Sequence, residues 1–290
     1  MTIRSANNPQ RLALENEVFI GLILTFALMA GGVSRYPASL SQGGVWSFIA
    51  TAIAWVAYGG AAFWARRQTA DSMRSALGQG ARIGIFPGAI AILNHTVEIF
   101  ANLDSSLSSI LGVSMWGLMF LSFGVAGSIT YRRTGSLQLA LVSSVWAAII
   151  STVGILLYGY LISYLCMPRM QQILLGAFGQ SKMTDLPAFV IQNTMESGAS
   201  HVLLAPVIAA IFGLAGGLAS MILRSIHRGA AILLGAATIL LFAAGLAAIR
   251  YASLLNRADR PPWIMFGLLS LGITLACAHP IFAAIDRREK

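Results

Sequence analysis

Apolar residues in this chain are gathered into long runs and do not alternate with polar ones. A membrane-spanning helix needs about 20 mostly apolar residues. Eight runs are of about this length, at 18-35, 45-65, 83-103, 109-131, 137-165, 201-223, 229-249 and 263-285. The strands of a membrane β-barrel alternate apolar and polar residues over about ten positions, a pattern these runs lack. The pattern therefore predicts an all-α fold, a polytopic transmembrane helical bundle of about eight membrane-spanning helices.

Two predicted connections are longer than hairpin turns. Residues 66-82 carry four arginines and apolar residues at helical spacing, which fits a short helix on the cytoplasmic membrane surface and equally fits a solvated linker. Residues 167-200 form a predicted outer loop. In it, Thr184, Asp185 and Pro187 resemble a helix start. A bend near residues 197-200 would leave 186-196 as a short interfacial or re-entrant helix ahead of the sixth span.

Composition supports a single transmembrane domain over residues 1-290. Hydrophobic residues make up 57% of the chain and charged residues 10%, whereas a soluble domain has about 25% charged residues. Mean hydropathy is +0.76. We found no polar stretch long enough to fold as a separate soluble domain. The expected location is the cytoplasmic (inner) membrane of a bacterium, with membrane lipids as the first partners.

Arginines set the predicted orientation, because Lys and Arg of short loops stay in the cytoplasm. Basic residues follow each even-numbered run, at 66-67, 132-133, 224-228 and 287-288. Both chain ends are then cytoplasmic, including residues 1-17. Three arginines in one predicted outer loop, Arg250, Arg257 and Arg260, conflict with this topology. The net charge of +9 predicts no nucleic-acid partner, because the basic residues flank apolar runs and form no separate arm.

The third apolar run contains the first group of candidate site residues. His95, Glu98 and Asn102 are spaced i, i+3 and i+7, so they share one helix face. Counted along the run, His95 and Glu98 lie in its outer half. An ionised group within a membrane costs on the order of 3 kcal/mol and is usually turned towards a cavity or a partner. The spacing therefore predicts a polar site.

A second polar stretch, which contains Asn193, Glu196 and His201, enters the sixth run from the same predicted outer side. It is the expected partner of the first stretch. In one straight helix Glu196 and His201 would point about 140° apart. Both can face one point only if the chain bends between them, which makes a joint site conditional on that bend.

Three functions remain open at this level. The six residues could bind a small solute or cation in a transporter. They could instead only form interhelical hydrogen bonds in a structural subunit, which would bind a membrane-protein partner or form a homo-oligomer. A metal- or haem-binding enzyme would use His95, Glu98, Glu196 and His201 as metal ligands. We expect no cofactor and assign no catalytic residue, because the sequence lacks GxSxG, HExxH and P-loop motifs.

Overall fold

The described part of the chain is built from helices and contains no strand. The computed structural model describes residues 9–101 and 105–225 together with Ala236 and Leu240; at the helix-end residues 9–14, 105–110, 224 and 225 it describes the backbone alone. Six of its helices are long and apolar enough to cross a membrane. The chain is thus an integral membrane protein with an all-helical fold. The runs predicted at 229-249 and 263-285 lie outside the described residues.

The helices follow one another with short connections. Their order is α1 (Pro9–Arg35), a kinked turn (Leu40–Gly44), α2 (Val45–Arg67), α3 (Asp71–Phe100), α4 (Ser105–Thr134), α5 (Leu137–Leu165), α6 (Met167–Gln180) and α7 (Leu186–Ser225). Between α4 and α5, Gly135 adopts a φ of 71°, a conformation that glycine takes at low cost. Ser136 then caps α5 by accepting a hydrogen bond from the Leu139 amide at 3.3 Å.

Helices α3 and α5 run parallel and pack closely through small residues. Gly80, Gly84 and Gly88 each face the residue 63 positions later, Ser143, Ala147 and Ser151. A Cβ added at Gly84 would lie 2.6 Å from the Ala147 carbonyl oxygen. The glycines therefore allow backbone-to-backbone contact, which favours helix association where lipid supplies no hydrophobic driving force.

A second parallel pair is formed by α4 and α7. The rings of Phe120 and Phe212 stack with centroids 4.9 Å apart, and the hydroxyls of Ser128 and Ser220 are 2.9 Å apart. Between these contacts, a Cβ at Gly216 would meet the backbone of α4. Helix α5 packs on α3 and also on both members of the second pair, and 67% of its most apolar stretch is buried. It is therefore the central helix of the described bundle.

Helices α3 and α7 differ most from their predicted extents. Helix α3 begins at Asp71, so residues 71–82 form its first turns and not a separate helix. Helix α7 runs unbroken for 40 residues, about 60 Å, through the predicted bend. Gly198 serves close packing there: its added Cβ would lie 3.0 Å from a Leu156 methyl group. Residues 186-196, predicted as a separate short helix, are instead the first turns of α7. The short helix within 167-200 is α6, which is too short to span a membrane and has no buried residue.

The two ends of the bundle differ in chemistry. Arg66 and Arg67 end α2, and Arg133 of α4 donates from Nη1 to Gln79 Oε1 near the start of α3 at 3.0 Å. We call this the arginine end. At the opposite end, which we call the α6 end, α6 packs on α7 and touches α3 and α5.

Candidate functional site

A cavity of about 210 Å³ lies at the α6 end, between α3, α5, α6 and α7. Its polar lining comes from three long helices. Helix α3 contributes His95 and Glu98, α5 contributes Tyr160, and α7 contributes Asn193, Thr194, Ser197 and His201. None of the described residues that line it is a Lys or an Arg. The cavity thus combines one carboxylate with two imidazoles.

Glu98 is held by neighbours on its own helix. Asn94 donates from Nδ2 to Glu98 Oε1 at 2.8 Å, and His95 Nδ1 lies 3.4 Å from Oε2. The side chain of Glu98 is still 47% exposed and that of His95 34%. Because neither group is sealed inside the protein, both can meet a molecule that enters the cavity.

His201 is oriented by a backbone carbonyl and an indole. Its Nδ1 lies 2.7 Å from the Ser197 carbonyl oxygen. A carbonyl oxygen only accepts, so Nδ1 carries the proton of this bond, and in the neutral ring Nε2 is left as an acceptor. Trp116 of α4 stacks on the ring with centroids 5.9 Å apart. The centroid of the His95 ring lies 6.2 Å from that of the His201 ring, so the imidazoles of α3 and α7 are neighbours.

Tyr160 has a buried hydroxyl without a hydrogen-bond partner in the described part of the chain. The residue has 0% exposure and lines the cavity. A Cβ at Gly198 would lie 3.7 Å from this hydroxyl, so glycine leaves the space beside it open. An unmade hydrogen bond at a buried hydroxyl costs about 1–3 kcal/mol. A bound ligand can remove this cost.

The remaining walls of the cavity are apolar. Ile99, Ile155, Leu156 and Ile162 line it from α3 and α5, and α6 adds Met170 and Ile173. Helix α6 is tied to the end of α3, because Arg169 donates from Nε to the Ile99 carbonyl oxygen at 2.9 Å. The site therefore offers polar groups on one part of its surface and aliphatic side chains on the rest.

Four of the six residues singled out from the sequence line this cavity: His95, Glu98, Asn193 and His201. Glu196 does not line it. Because α7 is continuous, Glu196 points away from His201 and accepts a hydrogen bond from Gln192 Nε2 at 2.9 Å. Asn102 lies outside the described residues.

The four candidate metal ligands are not brought together as one set. Within the described ranges, no three His, Cys, Asp or Glu side chains form a group that could hold a metal. His95, Glu98 and His201 share the cavity, whereas Glu196, the fourth metal candidate, is outside it. Structural and catalytic zinc sites use three or four protein ligands. The described residues do not bring the four candidates together, and the metal- or haem-binding enzyme stays a hypothesis.

Two residues of the site were missed in the sequence. Tyr160 sits in an apolar run in which aromatic residues usually belong to the core, so its type alone gave no signal. Trp116 lies on α4, which contributed no candidate. Tyr160 and Asn193 are 33 positions apart, and only the packing of α5 on α7 brings them together.

Comparison of the chain with protein-family models, with curated proteins and with solved structures found no match. The site must therefore be interpreted from its own geometry.

Proposed function

We propose that this protein is a multi-pass membrane transporter that binds a small solute or cation in the cavity at the α6 end. The observation that carries the proposal is the convergence of His95, Glu98 and His201, from two different helices, on one accessible cavity. Ionisable residues within a membrane bundle commonly mark substrate or ion pathways. Tyr160 strengthens the case, because its unpaired hydroxyl faces the same space.

The proposed orientation puts the arginine end in the cytoplasm. Arginines close α2 and α4, and the positive-inside rule assigns such clusters to the cytoplasmic side. The cavity then lies in the outer half of a bacterial inner membrane. With the two further spans predicted at 229-249 and 263-285, the proposed topology has eight membrane-spanning helices and both ends inside.

The alternative is a structural subunit that uses these polar groups only for packing. That hypothesis expects a filled interior and apolar surfaces that take up a partner. The exposed apolar residues of α2, such as Trp46 at 80% and Val56 at 78% exposure, are what a lipid-facing helix requires, so they do not favour a protein partner. The structural hypothesis expects a filled interior, so the cavity at the α6 end favours the transporter over the structural subunit.

The test is uptake into proteoliposomes, with a panel of labelled inorganic cations, amines and amino acids. We expect Glu98→Gln and His95→Ala to reduce uptake of the transported solute about tenfold or more, because a hydrogen bond to a charged group contributes about 1.5–3 kcal/mol. Glu196→Gln is the matched control: it makes the same chemical change outside the cavity and leaves uptake unchanged. If no solute is taken up in a Glu98-dependent way, the transporter proposal fails.

A further inference from the structure

We infer that the ligand of this cavity is a small organic monovalent cation, a protonated amine with a short apolar tail. The inference rests on the proposed function, since it names the chemical class that the same cavity takes. It follows from the charge of the lining, the hydrogen-bonding groups left free, and the size and polarity of the space.

The negative charge of the lining and its hydrogen-bond acceptors indicate that the ligand carries an ammonium group. Among the described lining residues, Glu98 alone carries a formal charge when the imidazoles are neutral, and its charge is negative. His201 Nε2 is an acceptor, because Nδ1 is used by the Ser197 carbonyl. The Tyr160 hydroxyl has no hydrogen-bond partner in the described part of the chain, and Asn193 adds an amide oxygen to the lining. An ammonium group has three donors and no acceptor, which complements such a surface.

The volume of the cavity and its aliphatic walls indicate that the ligand has a short apolar tail. A 150 Å³ apolar cavity in another protein holds benzene, with its six carbons. A volume of about 210 Å³ then suits roughly eight non-hydrogen atoms. Ile155, Leu156 and Ile173 give aliphatic contact and no hydrogen bonds. A bare inorganic ion would leave these walls unused, whereas a short alkyl chain covers them.

The test is isothermal titration of the purified full-length protein in detergent with three probes of similar shape. n-Pentylammonium carries the positive charge, 1-pentanol is neutral and pentanoate is negative. We expect pentylammonium to bind with a Kd about tenfold or more below that of pentanol, since a charge-assisted hydrogen bond is roughly twice as strong as a neutral one. Pentanoate is expected not to bind.

Three variants assign the effect to the cavity. Glu98→Gln removes the preference for pentylammonium over pentanol, and Glu196→Gln keeps it. Tyr160→Phe weakens pentylammonium binding up to about tenfold. It folds without difficulty, because the hydroxyl it deletes has no partner in the described part of the chain. It therefore keeps the test decisive even if Glu98→Gln fails to fold.

Equal binding of the three probes or tighter binding of pentanoate would each overturn the ligand class. The failure of this inference can be told from the failure of the proposed function. If uptake depends on Glu98 but no amine is preferred, the transporter proposal is kept and the amine ligand is rejected. If pentylammonium binds through Glu98 and no solute is taken up, the ligand class is kept and the transporter proposal is rejected.

Discussion

Replacing Gly84 by alanine tests how tightly α3 and α5, two of the four helices that line the cavity, pack against each other. The new Cβ would lie 2.6 Å from the carbonyl oxygen of Ala147 and 2.9 Å from its Cα. Carbon and oxygen atoms in ordinary helix contacts are about 3.3 Å apart, so roughly 0.7 Å of overlap must be relieved. The obstructing atoms belong to a helix backbone, which cannot rotate away as a side chain does. The helices must therefore separate.

The cost can be isolated with a matched variant. Overpacking of this kind costs typically 1–3 kcal/mol, while the change from glycine to alanine adds about 1 kcal/mol of helix propensity. Gly154→Ala, on α5, gains the propensity alone, because nothing lies within 4 Å of its added Cβ. We expect Gly84→Ala to be less stable than Gly154→Ala by about 1–3 kcal/mol.

The assay is reversible unfolding of the purified protein in mixed micelles, followed by circular dichroism as the denaturing detergent fraction rises. Both variants are measured beside the unmodified chain. Equal stabilities of Gly84→Ala and Gly154→Ala would refute the close contact of α3 and α5. The same separation of helices would move His95 and Glu98 away from Tyr160. We therefore also expect Gly84→Ala to weaken pentylammonium binding.

Two further substitutions test how α7 is held, by the same unfolding assay. Tyr58→Phe removes the hydrogen bond that the buried Tyr58 hydroxyl donates to the Val202 carbonyl oxygen at 3.0 Å, and should cost about 1 kcal/mol; an unchanged stability would contradict that bond. Asp185→Ala removes the cap of α7, in which Oδ1 accepts from the Ala188 amide at 3.1 Å, and should cost about 1 kcal/mol. Asp185→Asn should cost less, and an equal loss would argue against capping.

The positions of the helices could be predicted where apolar runs end at strong signals. The predicted fifth run, 137-165, coincides with α5, because Gly135 and Ser136 separate it from the arginines before it. The start of α3 could not be found in the same way. Hydropathy identifies only the apolar part of a helix. The first turns of α3 are polar, and they are helical because they extend the apolar helix towards its N-terminus.

The site was predictable on α3 and less so on α7. His95 and Glu98 share a face because their spacing fits one helical turn, and both line the cavity. The joint site was made conditional on a bend in the second stretch, and α7 contains no break there. His201 and Asn193 reach the cavity from a continuous helix, while Glu196 does not. Sequence spacing could not decide this, because glycine and serine at 197–200 suit close packing as well as a break.

Glu98 and Glu196 share one local hydrogen-bonding pattern, which makes their comparison the sharpest test of the site. Each carboxylate accepts a hydrogen bond at i, i+4 spacing on its own helix, Glu98 from Asn94 and Glu196 from Gln192. Neither therefore needs a ligand in order to be satisfied. What separates them is the space beyond the carboxylate, since Glu98 lines a cavity together with His201 and Glu196 does not. If packing alone explains these residues, the two glutamine variants should behave alike. A functional cavity instead requires that only the Glu98 variant lose binding and uptake.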